Sequence, residues 1–237
     1  MTKLYTKLAR VYHEMYQSIF DYKKEYRFYS RLLKKYKCKK ILEIGCGSGN
    51  IAKFFLKENF DYIGMDKSTK MLNIAKETEP KAKFVNGDMR KIKLRKKFDA
   101  VIITGRSFTY MTENDDVMKA LSSVNKILVK NGILIFDNFD AQEIFTKFNK
   151  RIVTNAKYHD KKYKRIIKTS FNLESGWTWN LDETYFITEK GKTKIIKDKG
   201  TLRAFTEDEL NLFLKLNKFK SLETIKNDFK ITIVARK

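Results

Sequence analysis

Residues 40–50 read Lys40-Ile41-Leu42-Glu43-Ile44-Gly45-Cys46-Gly47-Ser48-Gly49-Asn50. The first five residues predict a short buried strand, because Ile41, Leu42 and Ile44 make an almost continuous apolar run. Three alternating glycines follow, and they allow the backbone to turn tightly and to approach a ligand that a Cβ would obstruct. A helix is expected to open at Ile51. We therefore expect a nucleotide-like ligand at the carboxyl end of this strand.

The spacing of this loop differs from the fingerprint of dinucleotide-binding proteins. That fingerprint, G-x-G-x-x-G, requires a glycine where this chain has Asn50, whereas the additional glycine here is Gly49. Glu43 precedes the first glycine by two residues, and its carboxylate would repel a pyrophosphate. The loop therefore favours a ligand with a positively charged end.

An acid ends the second predicted strand, which runs over residues 60–66. Asp66 falls about 20 residues beyond the glycine loop, which is the position from which a carboxylate accepts hydrogen bonds from an adenosine ribose. Lys67 flanks this acid. Ser68 is predicted to cap the next helix, which carries Met71.

A third strand is predicted over residues 82–89, and it ends in Gly87-Asp88-Met89. With the glycine loop and Asp66, this turn completes three motifs in the same order over residues 41–90. Together the motifs resemble those of the class I S-adenosylmethionine (SAM) dependent methyltransferases. In that family the aspartate of the third motif binds the adenine amine, and the apolar residue after it forms a wall for the ring.

The resemblance implies SAM as the cofactor, S-adenosylhomocysteine as its product, and no metal. The residues that it implies for binding SAM are Tyr16, Glu43, Gly45, Cys46, Gly47, Gly49, Asp66, Lys67, Met71, Asp88, Met89 and Thr104. Cys46 is interpreted as the small residue that the loop requires at its position.

The resemblance also implies an α/β fold with a Rossmann-like, seven-stranded and mostly parallel sheet of order 3-2-1-4-5-7-6. All 237 residues are assigned to a single methyltransferase domain. Residues 1–36 are expected to form a cap of two helices, and residues 37–150 a SAM-binding core. Residues 151–205 are predicted to be a small antiparallel lid over the substrate, and residues 206–237 a helix and a hairpin that complete the sheet.

The acceptor is expected beside the segment that follows the fourth predicted strand, Gly105 to Met111. This segment lacks the N-P-P-[YF] pattern of methylases that act on DNA bases or glutamine. It is more similar to small-molecule enzymes such as the amino-sugar N-methyltransferases and glycine N-methyltransferase. Arg106 offers a guanidinium fork to a substrate carboxylate or phosphate, and Tyr110 is the candidate for contacting the acceptor. These two residues are the catalytic candidates.

The first predicted helix carries apolar residues from Leu4 onward and contains a segment that resembles the family's A-x-x-Y-D-x-x-Y cap. Tyr12 and Tyr16 match its tyrosines, whereas His13 replaces the aspartate. Either these tyrosines fold over the methionine part of SAM, or they are core residues of an amphipathic helix. Both interpretations stay open, and for Tyr16 the contact to SAM is favoured.

The lid is predicted to contain strands at residues 163–171, 177–187, 193–197 and 201–205. Trp177, Trp179 and Leu181 are expected to alternate onto one face. They either offer a stacking surface to the substrate or attach the lid to the core, and the sequence leaves both alternatives open.

The formal net charge of +23 arises from 51 basic and 28 acidic residues. A balance of this kind is typical of nucleic-acid-binding proteins. However, 41 of the basic residues are lysines, and they are spread along the whole chain, whereas directed phosphate recognition favours clustered arginine forks. A nucleic-acid partner is therefore kept as an alternative and is not favoured.

The sequence thus predicts a methyltransferase acting on a small molecule, with an amine of a sugar or amino compound as the preferred acceptor. An RNA methyltransferase and a non-catalytic SAM-binding protein are the alternatives. A cytoplasmic protein is expected, since the chain has only two cysteines and its first residues lack the apolar core of a signal peptide. A monomer or a homodimer is expected as its oligomeric state. No membrane partner is expected, because no apolar run approaches the ~18 residues of a span.

Overall fold

The structure is a computed structural model that describes residues 2–237. Its helices are α1 (Ala9–Ile19), α2 (Tyr22–Lys35), α3 (Ala52–Lys57), α4 (Thr69–Thr78), α5 (Asn114–Ile127), α6 (Ala141–Thr146) and α7 (Glu207–Leu216). Its strands are β1 (Lys40–Ile44), β2 (Asp61–Asp66), β3 (Lys83–Asn86), β4 (Phe98–Ile103), β5 (Leu128–Phe139), β6 (Arg151–Tyr158), β7 (Lys161–Phe171), β8 (Thr178–Glu189), β9 (Lys192–Arg203), β10 (Lys220–Asn227) and β11 (Lys230–Arg236).

The main sheet has seven strands in the order β10-β11-β5-β4-β1-β2-β3. All neighbours run parallel except β11, which lies antiparallel between β5 and β10. Counted within this sheet, the order is 3-2-1-4-5-7-6, so the fold predicted from the sequence is confirmed.

Both faces of the central strands are buried, which explains why these strands read as unbroken apolar runs. Leu42 on one face belongs to an apolar cluster with residues of α5 and α7. Its neighbour Ile41 points to the opposite face and belongs to a cluster with residues of α2 and α3. The sheet is therefore a middle layer, and its carboxyl edge is left for the site.

Short-range helix signals are reproduced closely. The Ser68 hydroxyl accepts a hydrogen bond from the Met71 amide at 3.2 Å, which confirms the predicted cap of α4. Thr206 and Glu209 form a reciprocal capping box at the start of α7. The helix expected from Ile51 begins one residue later, at Ala52.

The start of the cap differs from the prediction of one continuous helix from Leu4. Leu4 lies in a 3-10 turn over Lys3–Tyr5, and α1 begins only at Ala9. The reason is a long-range contact, since the Leu4 amide donates to the Asp198 carboxylate on β9 at 2.7 Å.

The lid is a separate antiparallel sheet of order β6-β7-β8-β9. The segments predicted at 193–197 and 201–205 merge into one strand, β9, which runs through Gly200 without a break and ends at Arg203. The strand β6 is absent from the prediction, because it is an exposed edge strand whose apolar pattern is weak. Among residues 2–237, no helix is long and apolar enough to cross a membrane.

Candidate functional site

A cavity of about 570 Å³ lies at the carboxyl ends of β1 and β4, between the main sheet, the cap and the lid. Four parts of the chain line it: the glycine loop, the segment after β4, the cap and the lid. Their lining residues include Glu43, Gly45, Cys46, Gly47, Thr104, Arg106, Tyr110, Tyr5, Tyr12, Tyr16, Arg165, Trp179, Leu181 and Glu183. Six of the twelve residues implied for SAM binding, and both catalytic candidates, therefore line one cavity.

The glycine loop approaches the segment after β4 very closely. A Cβ at Gly45 would stand 2.1 Å from the Ser107 hydroxyl oxygen, and the φ angle of this residue is +75°. Gly49 has a different role, because its Cβ would stand 2.8 Å from the ring of Phe84. Gly49 thus packs the loop against β3 and does not line the cavity, and its contact with SAM stays a prediction.

Glu43 is a buried carboxyl group at the floor of the cavity, with an exposed fraction of 2%. It accepts hydrogen bonds from the Tyr62 hydroxyl at 2.5 Å and from the Thr104 hydroxyl at 2.6 Å. Burial raises the pKa of Glu43 to about 7, although the two hydrogen bonds oppose this shift. The Glu43 carboxyl group therefore holds a proton at mildly acidic pH.

This proton makes stability depend on pH in a defined direction. The folded state keeps it above the ordinary pKa of 4.5 and releases it near 7. The stabilisation is therefore full below about pH 4.5 and is lost as the pH rises through about 7. From about pH 5 to about pH 7, wild type should lose about 2 kcal/mol of unfolding free energy relative to Glu43→Gln. Urea titrations of both proteins test this, and parallel pH profiles would contradict it.

Asp66 also holds the glycine loop in place, a role that the sequence did not predict. Its carboxylate accepts the Gly47 amide at 2.9 Å and the Ser68 amide at 2.7 Å, so it clamps the glycine loop to the end of β2. Burial raises the pKa of Asp66, and these amide hydrogen bonds oppose the shift. Each carboxylate oxygen retains a lone pair for a further donor such as a ribose hydroxyl.

Asp88 already has strong partners at the tip of β3. Its carboxylate accepts Arg90 Nη2 at 2.6 Å and pairs with Lys67 Nζ at 2.9 Å. Arg90 extends the network to Asp116 at 3.0 Å. The hydrogen bonds from Arg90 hold the pKa of Asp88 well below its usual range. The predicted contact of Asp88 with an adenine amine would share oxygens with these cations, and it stays a prediction.

The remaining predicted SAM residues lie beside the loop but do not line the cavity. Met71 is buried and packs against Ala9 of the cap. Met89 is half-buried and starts the turn after Asp88. Met71 lies against the glycine loop, because a Cβ at Gly47 would stand 3.3 Å from its Cε, whereas Met89 packs on the apolar cluster that contains Leu42.

The cap tyrosines line the cavity and also pack in the apolar core of the cap, and their contact with SAM stays a prediction. Tyr12 and Tyr16 stack with ring centroids 4.2 Å apart, and both line the cavity. They also pack against Tyr163 and Tyr185 of the lid. His13 is buried and does not line the cavity, and burial lowers the pKa of its imidazole.

The segment after β4 presents both catalytic candidates to the cavity. Arg106 has a left-handed backbone with φ +58°, and its amide donates to the Asp137 carboxylate at 2.8 Å. Its guanidinium lies 4.7 Å from the ring centroid of Phe139. The Tyr110 hydroxyl lies 2.9 Å from the Tyr5 hydroxyl. Burial raises the pKa of Tyr110, so its phenol stays neutral.

The lid contributes an ion pair that sequence reasoning missed. Arg165 Nε donates to the Glu183 carboxylate at 3.0 Å, and Arg165 Nη1 donates to the Tyr16 hydroxyl at 3.3 Å. Both charged residues line the cavity. The signal was available in part, because Arg165 and Glu183 follow the two-residue alternation of buried positions along β7 and β8.

The three lid residues expected on one face divide into two groups. Trp179 and Leu181 line the cavity, and Trp179 also packs 5.4 Å from Phe139, so it serves the lid and the cavity wall together. Trp177 was placed wrongly, because it precedes β8 after a turn at Gly176 and is 41% exposed. It packs on Phe145 outside the cavity.

The cap and the lid are also joined above the cavity. Glu14 of α1 is buried, accepts a hydrogen bond from the Tyr163 hydroxyl and pairs with Lys161 Nζ at 3.2 Å. The Lys157 amide donates to the Ser18 hydroxyl at 3.4 Å. Through these contacts α1, β6 and β7 form one connected layer over the cavity, which we call the roof. Within residues 2–237, no group of three or more His, Cys, Asp or Glu residues could hold a metal ion.

Comparison with known proteins agrees with this geometry. Residues 41–132 match the family model described as methyltransferase domain. The glycine/sarcosine N-methyltransferase of Parasynechococcus marenigrum is 32% identical over 126 residues, which are 48% of this chain and 43% of that protein. The dTDP-3-amino-3,4,6-trideoxy-alpha-D-glucopyranose N,N-dimethyltransferase of Streptomyces venezuelae is 30% identical over 105 residues, 44% of each chain. The chain thus spans about half the length of the curated relatives it matches.

The similarity in fold extends over nearly the whole chain. The crystal structure of Streptomyces venezuelae DesVI superimposes with a TM-score of 0.85 at 21% identity, covering 96% of this chain and 97% of that one. A SAM-dependent methyltransferase from Clostridium acetobutylicum gives a TM-score of 0.82 with 98% of both chains covered. Residues 41–132 therefore resemble a methyltransferase domain, and the chain has the fold of solved SAM-dependent methyltransferases, so the resemblance predicted from the sequence is confirmed.

Proposed function

We propose that the protein transfers a methyl group from SAM to a small-molecule acceptor, and that the acceptor atom is the nitrogen of a sugar or amino compound. One observation supports this above all. The glycine loop, both catalytic candidates and the lid line a single cavity of about 570 Å³, a volume typical of sites for small ligands.

The residues present fit SAM as the cofactor. Gly45 and Gly47 have positive φ angles and no side chains, so their backbone atoms line the cavity. Glu43 offers a carboxyl group to the positively charged end of SAM. Asp66 has free lone pairs for the hydroxyls of the ribose. SAM supplies a methyl group on a sulfonium that is already activated for displacement. The protein has to position the acceptor in line with that methyl group and to exclude water.

The walls around the acceptor end suit an amine. Trp179, Phe139 and Tyr110 provide apolar surface, and a desolvated pocket favours the neutral, nucleophilic form of an amine over its ammonium form. The paired hydroxyls of Tyr5 and Tyr110 can orient the amine through hydrogen bonds. Arg106 is available for an anionic group elsewhere on the same molecule.

Two matched relatives support nitrogen as the acceptor atom. By their names, one methylates glycine or sarcosine and the other an amino sugar attached to dTDP. The absence of the N-P-P-[YF] pattern after β4 argues against a base flipped into the cavity.

The direct test is turnover of SAM labelled in its methyl group against a panel of acceptors. The panel contains amino sugars free and nucleotide-linked, glycine, sarcosine, and total RNA. We expect label to move to a small amine and not to RNA. Methylation of RNA alone would replace the proposal with an RNA methyltransferase, and tight SAM binding without any turnover would indicate a non-catalytic binder.

Arg106→Ala should separate the two halves of the site. We expect the acceptor KM to rise at least about tenfold, because a charge-assisted contact contributes roughly 1.5–3 kcal/mol, while the KM for SAM changes little. Steady-state kinetics with each substrate varied in turn measures both constants.

Arg106→Lys is the matched control, because lysine keeps the positive charge of the side chain but lacks the forked guanidinium group. Its acceptor KM should fall between those of wild type and Arg106→Ala. A larger effect of Arg106→Ala on SAM than on the acceptor would mean that the two halves of the site are assigned in reverse.

A further inference from the structure

The lid sheet has a second face, turned away from the cavity, that the proposed function does not use. Residues directly opposite each other in the antiparallel pairs share a face, and the buried face contains Tyr163, Glu183 and Asp198. Over residues 151–157, 162–168, 182–188 and 193–199, the alternate positions form the outer face. They are Arg151, Val153, Asn155 and Lys157 of β6, Lys162, Lys164, Ile166 and Lys168 of β7, Asp182, Thr184, Phe186 and Thr188 of β8, and Thr193, Ile195, Lys197 and Lys199 of β9.

This outer face is strongly and asymmetrically charged. Seven of its members are basic and exposed, namely Arg151, Lys157, Lys162, Lys164, Lys168, Lys197 and Lys199. The single acid is Asp182, which pairs with Lys199 at 3.2 Å. Within residues 2–237, the other six cations have no carboxylate within 4.0 Å. Neighbouring strands stand only ~4.8 Å apart, so these cations repel one another until an anion binds.

A groove of about 730 Å³ is lined by residues of this face, by Ala156 and Tyr163 of the buried face, and by Ser18 and Ile19 of α1. Lys157, Lys162 and Lys164 line it together with the ring of Phe186 and the hydroxyls of Thr188 and Thr193. Among the aromatic pairs of residues 2–237, none includes Phe186. Ile195 extends the apolar surface beside it and is 57% exposed.

We propose that this outer face binds single-stranded nucleic acid, independently of the methyl-transfer reaction. Lysines along β6 and β7 would neutralise successive phosphates, and Phe186 would stack on a base between them, which is how sequence-tolerant single-strand sites are built. A duplex fits less well, because its bases are already stacked on one another and offer no free face to the ring of Phe186. A second copy of the chain fits less well too, because two identical faces would oppose cation to cation.

The first experiment measures binding of a fluorescent oligouridylate of about 20 nucleotides to the full chain by anisotropy. Affinity should fall steeply between about 50 and about 200 mM salt, with a log–log slope near −0.7 for each phosphate neutralised. The double substitution Lys162→Glu with Lys164→Glu should raise the Kd at least about tenfold.

The matched control is Lys76→Glu with Lys81→Glu, which makes the same change in net charge at two exposed lysines away from the lid. It should raise the Kd far less. If both pairs weaken binding equally, the attraction comes from the total charge, and the proposed surface is wrong.

Phe186→Ala distinguishes a nucleic acid from other anions. The Kd for oligouridylate should rise about fivefold or more through loss of base stacking, whereas the Kd for inorganic polyphosphate should not change. Unchanged oligouridylate binding would overturn the proposal. Tighter binding to anionic lipid vesicles than to oligouridylate would also overturn it, as would a dimer that the same lysine substitutions abolish.

Circular dichroism and SAM calorimetry on every variant show that the fold and the cofactor site are retained.

Discussion

Asp66→Ala is expected to weaken SAM binding by about 2–4 kcal/mol, because hydrogen bonds to a charged group contribute roughly 1.5–3 kcal/mol each. The substitution removes the acceptor for the ribose. It also releases the amides of Gly47 and Ser68, which the carboxylate holds at 2.9 and 2.7 Å. Isothermal titration calorimetry with SAM measures the loss.

Asp61→Ala is the matched control, since Asp61 is an exposed acid at the opposite end of the same strand. Its SAM affinity should equal that of wild type. If Asp66→Ala binds SAM as tightly as this control does, the assignment of Asp66 to the cofactor is wrong.

Arg203→Ala is expected to lower the free energy of unfolding by about 3–5 kcal/mol, the usual cost of removing one partner of a buried ion pair. Arg203 is 1% exposed, donates to the Thr112 carbonyl at 3.1 Å and pairs with Glu209 of α7. Its guanidinium lies 4.8 Å from the ring centroid of Phe205. The substitution leaves these groups unpaired and opens a void between the lid and the main sheet.

Urea unfolding of Arg203→Ala beside Lys199→Ala provides the measurement. Lys199 lies on the same strand with its side chain 87% exposed, so its removal should change stability by less than about 1 kcal/mol. Similar unfolding midpoints for the two variants would show that the buried pair contributes no more than a surface contact.

The parts of the fold that could be predicted are those whose causes lie within a few residues. The cap formed by Ser68, the capping box of Thr206 with Glu209, and the glycine loop after β1 each depend on neighbours along the chain. The same holds for Asp66, which is the last residue of its strand. Local chemistry fixes such positions, so the sequence alone is enough to place them.

The parts that could not be predicted depend on contacts between distant segments. The Tyr5 hydroxyl meets Tyr110 across 105 positions, and Arg203 reaches Thr112 across 91. Asp88 looked free to bind adenine, because nothing in the sequence shows that Arg90 would also reach Asp116 on α5. Charged side chains are buried only where the tertiary structure supplies a partner. The periodicity of the sequence does not identify that partner.

The roof formed by α1, β6 and β7 has a consequence for the order in which the chain can fold. Glu14 meets Tyr163 across 149 positions, so α1 cannot dock on the lid until the chain has been synthesised through β7. Strands β1 to β5 precede the lid and make their contacts over shorter separations, which favours earlier assembly. Nascent chains should therefore pass through a stage in which strands β1 to β5 have paired while the crevice is still open. Limited proteolysis of stalled chains would detect that stage as cleavage within α1 that ceases once β7 has been synthesised.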